Sequence, residues 1–118
     1  MNTIILLTTL ALGLSESIET RLPQDPGMIY TVGFTHEGIH VGLDWKNRQI
    51  VPERVCRKAS LALRPQCQEA ALSWLRQECA WYGDKNTLSV KEEEMQTAVC
   101  SGAQALGKLV TQRQIADR

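Results

Sequence analysis

Two stretches of the chain alternate apolar and polar residues with a period of two. Tyr30, Val32 and Phe34 alternate with Thr31, Gly33 and Thr35, and Ile39, Val41, Leu43 and Trp45 alternate with His40, Gly42 and Asp44. This alternation predicts two strands, each with one buried face. Glu37-Gly38 lies between them, and a two-residue loop there pairs Phe34 with Val41, Val32 with Leu43 and Tyr30 with Trp45. All the apolar side chains then share a face, as a hairpin in correct register requires. A hairpin alone is marginal in water, so its apolar face is expected to lie on helices.

From Pro52 onward the period changes to that of a helix. Val55, Ala59, Ala62 and Leu63 form a stripe behind Pro52, which suits a first helical position. Pro65 interrupts that stripe, and a second helix is predicted from there to about Tyr82, carrying Cys67, Ala71, Trp74, Leu75 and Cys79. Gly83-Asp84-Lys85-Asn86 reads as a turn. Ser89 and Glu92 then have the S-x-x-E spacing of a capping box, and Glu92, Glu93 and Glu94 complement the positive end of the helix dipole. Met95, Ala98, Val99, Gly102, Leu106, Leu109 and Val110 continue that third helix. Gly102, Gly107 and the neighbouring alanines would let another segment approach closely, and an internal crossing is the simplest use of them. The expected fold class is α+β, an N-terminal β-hairpin packed on two to three helices.

Ile4 to Leu14 is an apolar run interrupted by Thr8, Thr9 and Gly13. It is too short to span a bilayer but matches the apolar centre of a secretory signal, with Ser15 and Ser17 in the −3 and −1 positions of a cut after Ser17. The basic start of such a signal is missing, since residues 1–20 hold no Lys or Arg. On this reading 1–17 is a signal peptide, 18–27 (with Pro23, Pro26 and Gly27) an irregular lead-in, and 28–118 a single domain. With 118 residues there is no room for a second core.

Cys56, Cys67, Cys79 and Cys100 fit an exported domain held by two disulfides, and their spacing has none of the short pairs of zinc or thioredoxin-like sites. Cys67 and Cys79 on one helix would stand ~18 Å apart, which excludes their pairing. If the last two helices run antiparallel about Lys85, Cys67 comes level with residue 103. That register favours Cys67–Cys100 with Cys56–Cys79, and leaves Cys56–Cys67 with Cys79–Cys100 as the alternative.

Charge and chemistry narrow the function further. Thirteen basic residues balance thirteen acidic ones, which argues against whole-molecule attraction to nucleic acid. Locally, Lys46 to Arg64 holds six basic residues against Glu53 alone, a net of +5. Arg54, Arg57 and Lys58 would share one face of the first helix; the plainer reading is a solvated face opposite the Val55/Ala59/Leu63 stripe, and the functional one is a docking surface for an acidic partner, anionic lipid or phosphate. Trp81 and Tyr82, at a helix end beside a turn, are the second candidate contact. His36 and His40 point to opposite faces of the hairpin and do not form a metal pair. His40 and Asp44 share a face but stand ~13 Å apart, too far for a base and its orienting carboxylate. Neither a nucleophile elbow nor a phosphate-binding glycine loop occurs. No catalytic residue, metal ligand or cofactor is expected. The sequence reads as a periplasmic or secreted, non-enzymatic protein–protein interaction module, such as an envelope accessory, an inhibitor or an immunity-type protein. The alternative is a cytosolic regulatory domain with reduced cysteines that binds an anionic ligand.

Overall fold

Two tight turns set the sheet. In the computed structural model, which describes residues 27–116, strands β1 (Ile29–His36) and β2 (Ile39–Lys46) are joined through Glu37-Gly38. Both turn residues take positive φ, 52° and 80°, the left-handed pair that matches the twist of a hairpin. The expected register is the observed one: Phe34 faces Val41, Val32 faces Leu43 and Tyr30 faces Trp45. A second two-residue turn, Asn47-Arg48, again has positive φ at both positions and leads into the short strand β3 (Gln49–Ile50). The antiparallel sheet has the order β1-β2-β3.

Helices α1 (Arg64–Gly83) and α2 (Val90–Ala116) cover the apolar face. Val41, Leu43 and Trp45 from β2 meet Ala71, Leu72 and Leu75 of α1 and Val99, Ala103 and Leu106 of α2 in one buried cluster. The Phe34 ring contacts Trp74 with centroids 4.7 Å apart. Gly102 is the close-approach point. A Cβ there would lie 3.1 Å from Ile50 Cδ1, so β3 can reach α2 only over a residue with no side chain. The predicted capping box is formed: Glu92 N donates to Ser89 Oγ at 3.2 Å, and Ser89 N donates to Glu92 Oε1 at 2.9 Å. No helix of the described residues is long and apolar enough to cross a membrane. The Ile4–Leu14 run, the Ser17 cut and most of the 18–27 lead-in lie outside the described residues.

Two expectations are corrected. The helix predicted from Pro52 is a single 3-10 turn, Pro52–Arg54, followed by turns through Leu63. A helix would need the Cys56 N–H to stay within the segment, but it donates to Gly42 O of β2 at 2.9 Å, and Cys56 takes φ 63°. Val51 N likewise donates to Asp44 O. The segment is stitched to the strand, and Arg54, Arg57 and Lys58 do not share a helical face.

The favoured disulfide pairing is also replaced by its alternative. Cys56 is bonded to Cys67 and Cys79 to Cys100, with Cα atoms 6.0 and 4.9 Å apart. The antiparallel pivot lies further along the chain than Lys85, because α1 ends at Gly83 and α2 does not begin until Val90. Gly107 therefore lies against Leu72 and Arg76, and Arg113 donates to the side chain of Gln68. Cys67 sits level with about residue 113, ~20 Å along the axis from Cys100. The same shift brings Cys79 beside Cys100.

Peptide mapping under non-reducing conditions is expected to recover Cys56–Cys67 and Cys79–Cys100 as the linked pairs. Replacing either pair by serine should cost roughly 3 kcal/mol of unfolding free energy. The Cys79–Cys100 loop spans 21 residues against 11. Its loss should therefore be the more costly by ~0.6 kcal/mol, measured by urea titration.

Candidate anion-binding cleft

The outer face of the hairpin carries the cross-strand pairs Thr31–Asp44, Gly33–Gly42 and Thr35–His40. Asp44 stands out because its carboxylate is buried on the face that alternation marks as polar, with only 2 % of the side chain exposed. A buried carboxylate must be compensated. Here Thr31 Oγ1 donates to Oδ1 at 2.6 Å, and Arg54 Nε and Arg57 Nε both donate to Oδ2 at 2.9 Å. Burial works to raise the Asp44 pKa. The hydrogen bonds from Thr31, Arg57 and Arg54, together with the Arg57 charge, outweigh it and hold the carboxyl below its ordinary value.

One negative charge thus collects two positive ones. The Arg54 and Arg57 side chains remain 35 % and 44 % exposed. Each uses its Nε on Asp44, which leaves the terminal amino groups of the guanidinium as donors. Beside them is a cleft of about 370 Å³, bounded by the outer face of the hairpin and by the 54–59 turn with the Cys56–Cys67 bridge. Lys58 lines it with Arg54 and Arg57 against Asp44 alone, so the charge around it is predominantly positive, and His40 borders it as well. Gly33 and Gly42 form its floor, and Ala59 adds an apolar contact. The arrangement suits a carboxylate or another planar anion, because guanidinium groups present paired donors in a fixed fork.

The structure brings Arg54, Arg57 and Lys58 to one cleft, though through turns and not along a helix. Trp81 and Tyr82 lie elsewhere, at the end of α1. Trp81 is 54 % exposed, whereas Tyr82 is buried beneath it with ring centroids 4.8 Å apart. Lys85 Nζ sits 4.9 Å from the Trp81 ring centre and also pairs with Glu92, whose pKa is lowered first by that hydrogen bond and then by the Ser89 N–H. Of the aromatic pair only Trp81 reaches the surface.

A second polar group gathers at the hairpin tip. Ser73 Oγ lies 3.5 Å from His36 Nε2, and Glu37 Oε1 lies 3.7 Å from the same nitrogen. A relay from nucleophile to acid needs the two partners on opposite ring nitrogens, so this is not a triad geometry. Glu78 nearby has its pKa raised by burial, opposed in part by the His36 charge. Among the described residues no group of three His, Cys, Asp or Glu side chains is placed to hold a metal ion.

Comparison with known proteins adds no name to this geometry. No protein-family model, curated protein or solved structure matches the chain. Sequence reasoning identified the basic residues of the cleft but missed Asp44 and the glycine floor. The signal for both lay in the hairpin register, which sets an aspartate and a glycine pair on the outward face between apolar neighbours.

Asp44→Asn keeps the side-chain shape and removes the charge. It is expected to cost about 1.5–3 kcal/mol at neutral pH, the range for hydrogen bonds to charged groups. The folded pKa lies below the unfolded one, so the native state holds the proton less tightly. The stabilisation is complete above the unfolded value of ~3.9 and is lost as pH falls through the folded one. Urea titrations from pH 7 to pH 2 should show this loss in the wild type and a shallower slope in Asp44→Asn.

Proposed function

We propose that this protein is a non-enzymatic binding module of an oxidising compartment, periplasmic or extracellular, and that it engages a partner protein through an acidic segment seated in the Arg54–Arg57–Lys58 cleft. The observation that carries the reading is the buried Asp44 carboxylate, which holds two half-exposed guanidinium groups at the edge of an open cleft. Side chains already fixed in place lose little conformational freedom when a ligand arrives. The two disulfides support the compartment, since paired cysteines persist where thiols are not kept reduced. They also leave no cysteine of the chain as a free nucleophile. The partner offers carboxylates because the cleft offers forked donors and positive charge.

Hexaglutamate serves as the probe. In NMR titration it is expected to bind saturably, with the largest shifts at the Gly33, His40 and Gly42 amides and at Arg57 Nε. Lys58 is exposed and belongs to no helix or strand. Lys58→Glu should weaken binding about fivefold to tenfold and flatten its salt dependence. Shifts scattered over the surface, or none, would defeat the proposal. Protein isolated from its native cells should weigh four hydrogens less than the fully reduced chain. Four free thiols would favour the cytosolic alternative.

A further inference from the structure

The floor of the cleft is unusual for a strand pair. Gly33 faces Gly42 directly, and both lie on the outer face in the middle of the hairpin. Glycine weakens a strand, so a facing pair needs a reason. Backbone conformation does not supply it, since neither residue has a positive φ. Packing does not supply it either. A Cβ built on Gly33 would come no closer than 3.8 Å to any neighbour (Val41 O), and one on Gly42 no closer than 3.8 Å (Thr31 Cγ2). These are ordinary van der Waals distances. The contrast is Gly102, where a Cβ would press on Ile50 at 3.1 Å and the fold itself demands glycine. Among the described residues nothing fills the space above the backbone at Gly33 and Gly42, and that space opens into the cleft.

We infer that the Gly33–Gly42 pair is the seat of the ligand, and that the ligand is an extended, carboxylate-bearing peptide stretch lying across the bare strands with an acid group on Arg54 and Arg57. This rests on the reading of the cleft given above and adds the form of the occupant. The shape of the floor favours a chain over a small acid. The bare strip runs across both strands, between the Thr31–Asp44 pair on one side and the Thr35–His40 pair on the other, and these borders stand ~13 Å apart along the strand, which leaves room for one extended main chain between their side chains. A small dicarboxylate would reach the arginines beside Asp44 without using the bare backbone. The main chain of a peptide needs side chains removed beneath it, and that is what the paired glycines provide. The arginines then fix which stretch of peptide settles there.

The test compares a capped Gly-Glu-Gly-Glu-Gly peptide with succinate, which carries the same two carboxylates without the chain. Gly33→Ala and Gly42→Ala are the variants. Both should melt at or above the wild-type temperature, because alanine restricts the unfolded chain and meets no close neighbour in the folded one. Each should bind the pentapeptide about tenfold more weakly than the wild type, a difference of ~1.4 kcal/mol. Succinate should bind the wild type at least about tenfold more weakly than the pentapeptide. Nuclear Overhauser contacts between peptide α-protons and the Gly33 and Gly42 α-protons should appear in the wild-type complex. Wild-type affinity in both alanine variants, alongside weakened binding in Lys58→Glu, would overturn the seat and leave the basic cleft standing. Equal affinity for succinate and pentapeptide would overturn it likewise. Wild-type affinity in all three variants would remove the cleft reading as well.

Discussion

The arrangement depends on one buried carboxylate. Asp44 occupies a position where alternation puts a side chain in water, yet its carboxylate is covered. An uncompensated charge there would be costly enough to unfold a small domain or force protonation. The compensation comes from residues ten and thirteen positions further on, Arg54 and Arg57, and from Thr31 across the hairpin. Three consequences follow from that clasp. The 51–57 segment cannot be a helix, because its polar groups are committed to β2. Cys56 is carried to the flank of β2, where Cys67 of α1 can meet it; Cys67 Sγ lies 3.1 Å from His40 O. And the two positive charges gathered against one negative charge leave the outer face of the sheet electropositive.

This explains which parts of the fold could be read from the chain and which could not. The hairpin was legible down to its register because period-two alternation and a two-residue loop together admit only one pairing that keeps Tyr30, Val32, Phe34, Val41, Leu43 and Trp45 on a single face. The capping box was legible because Ser89 and Glu92 satisfy each other within one turn. The 52–63 segment misled because Val55, Ala59, Ala62 and Leu63 do repeat at helical spacing. Local periodicity cannot register that a carboxylate on another strand will claim the intervening arginines. The disulfides misled for a related reason. Excluding Cys67–Cys79 needed only the continuity of α1. Choosing between the remaining pairings needed the helix–helix register, and this depends on where α2 begins after the 84–89 connection.

The two disulfides divide the work of holding a small domain. Cys79–Cys100 joins α1 near its C-terminal end to the middle of α2. Cys56–Cys67 ties the clasped turn to the start of α1. Among the described residues the apolar face of the sheet is covered by helices, while the outer face has only the turn and its bridge along part of one side. A face so lightly covered needs a fixed edge, or the turn would lift away and take the arginines with it. The bridge and the Asp44 clasp each prevent this from a different side, one covalently and one by charge.

That redundancy bears on what the cleft can do. A surface arginine pair ordinarily contributes little to binding, because long side chains lose rotamer freedom when they settle on a ligand. Here the freedom is already lost on folding: Nε of each guanidinium is fixed on Asp44, and the backbone between them is pinned to β2 and to α1. The stabilisation of the fold and the readiness of the cleft are therefore the same set of contacts. At Asp44 the carboxylate accepts three hydrogen bonds and is held below its ordinary pKa, a state that positions its neighbours. On the binding reading proposed above, the clasp is a support for recognition, and the open glycine strip beside it is where a ligand has room to sit.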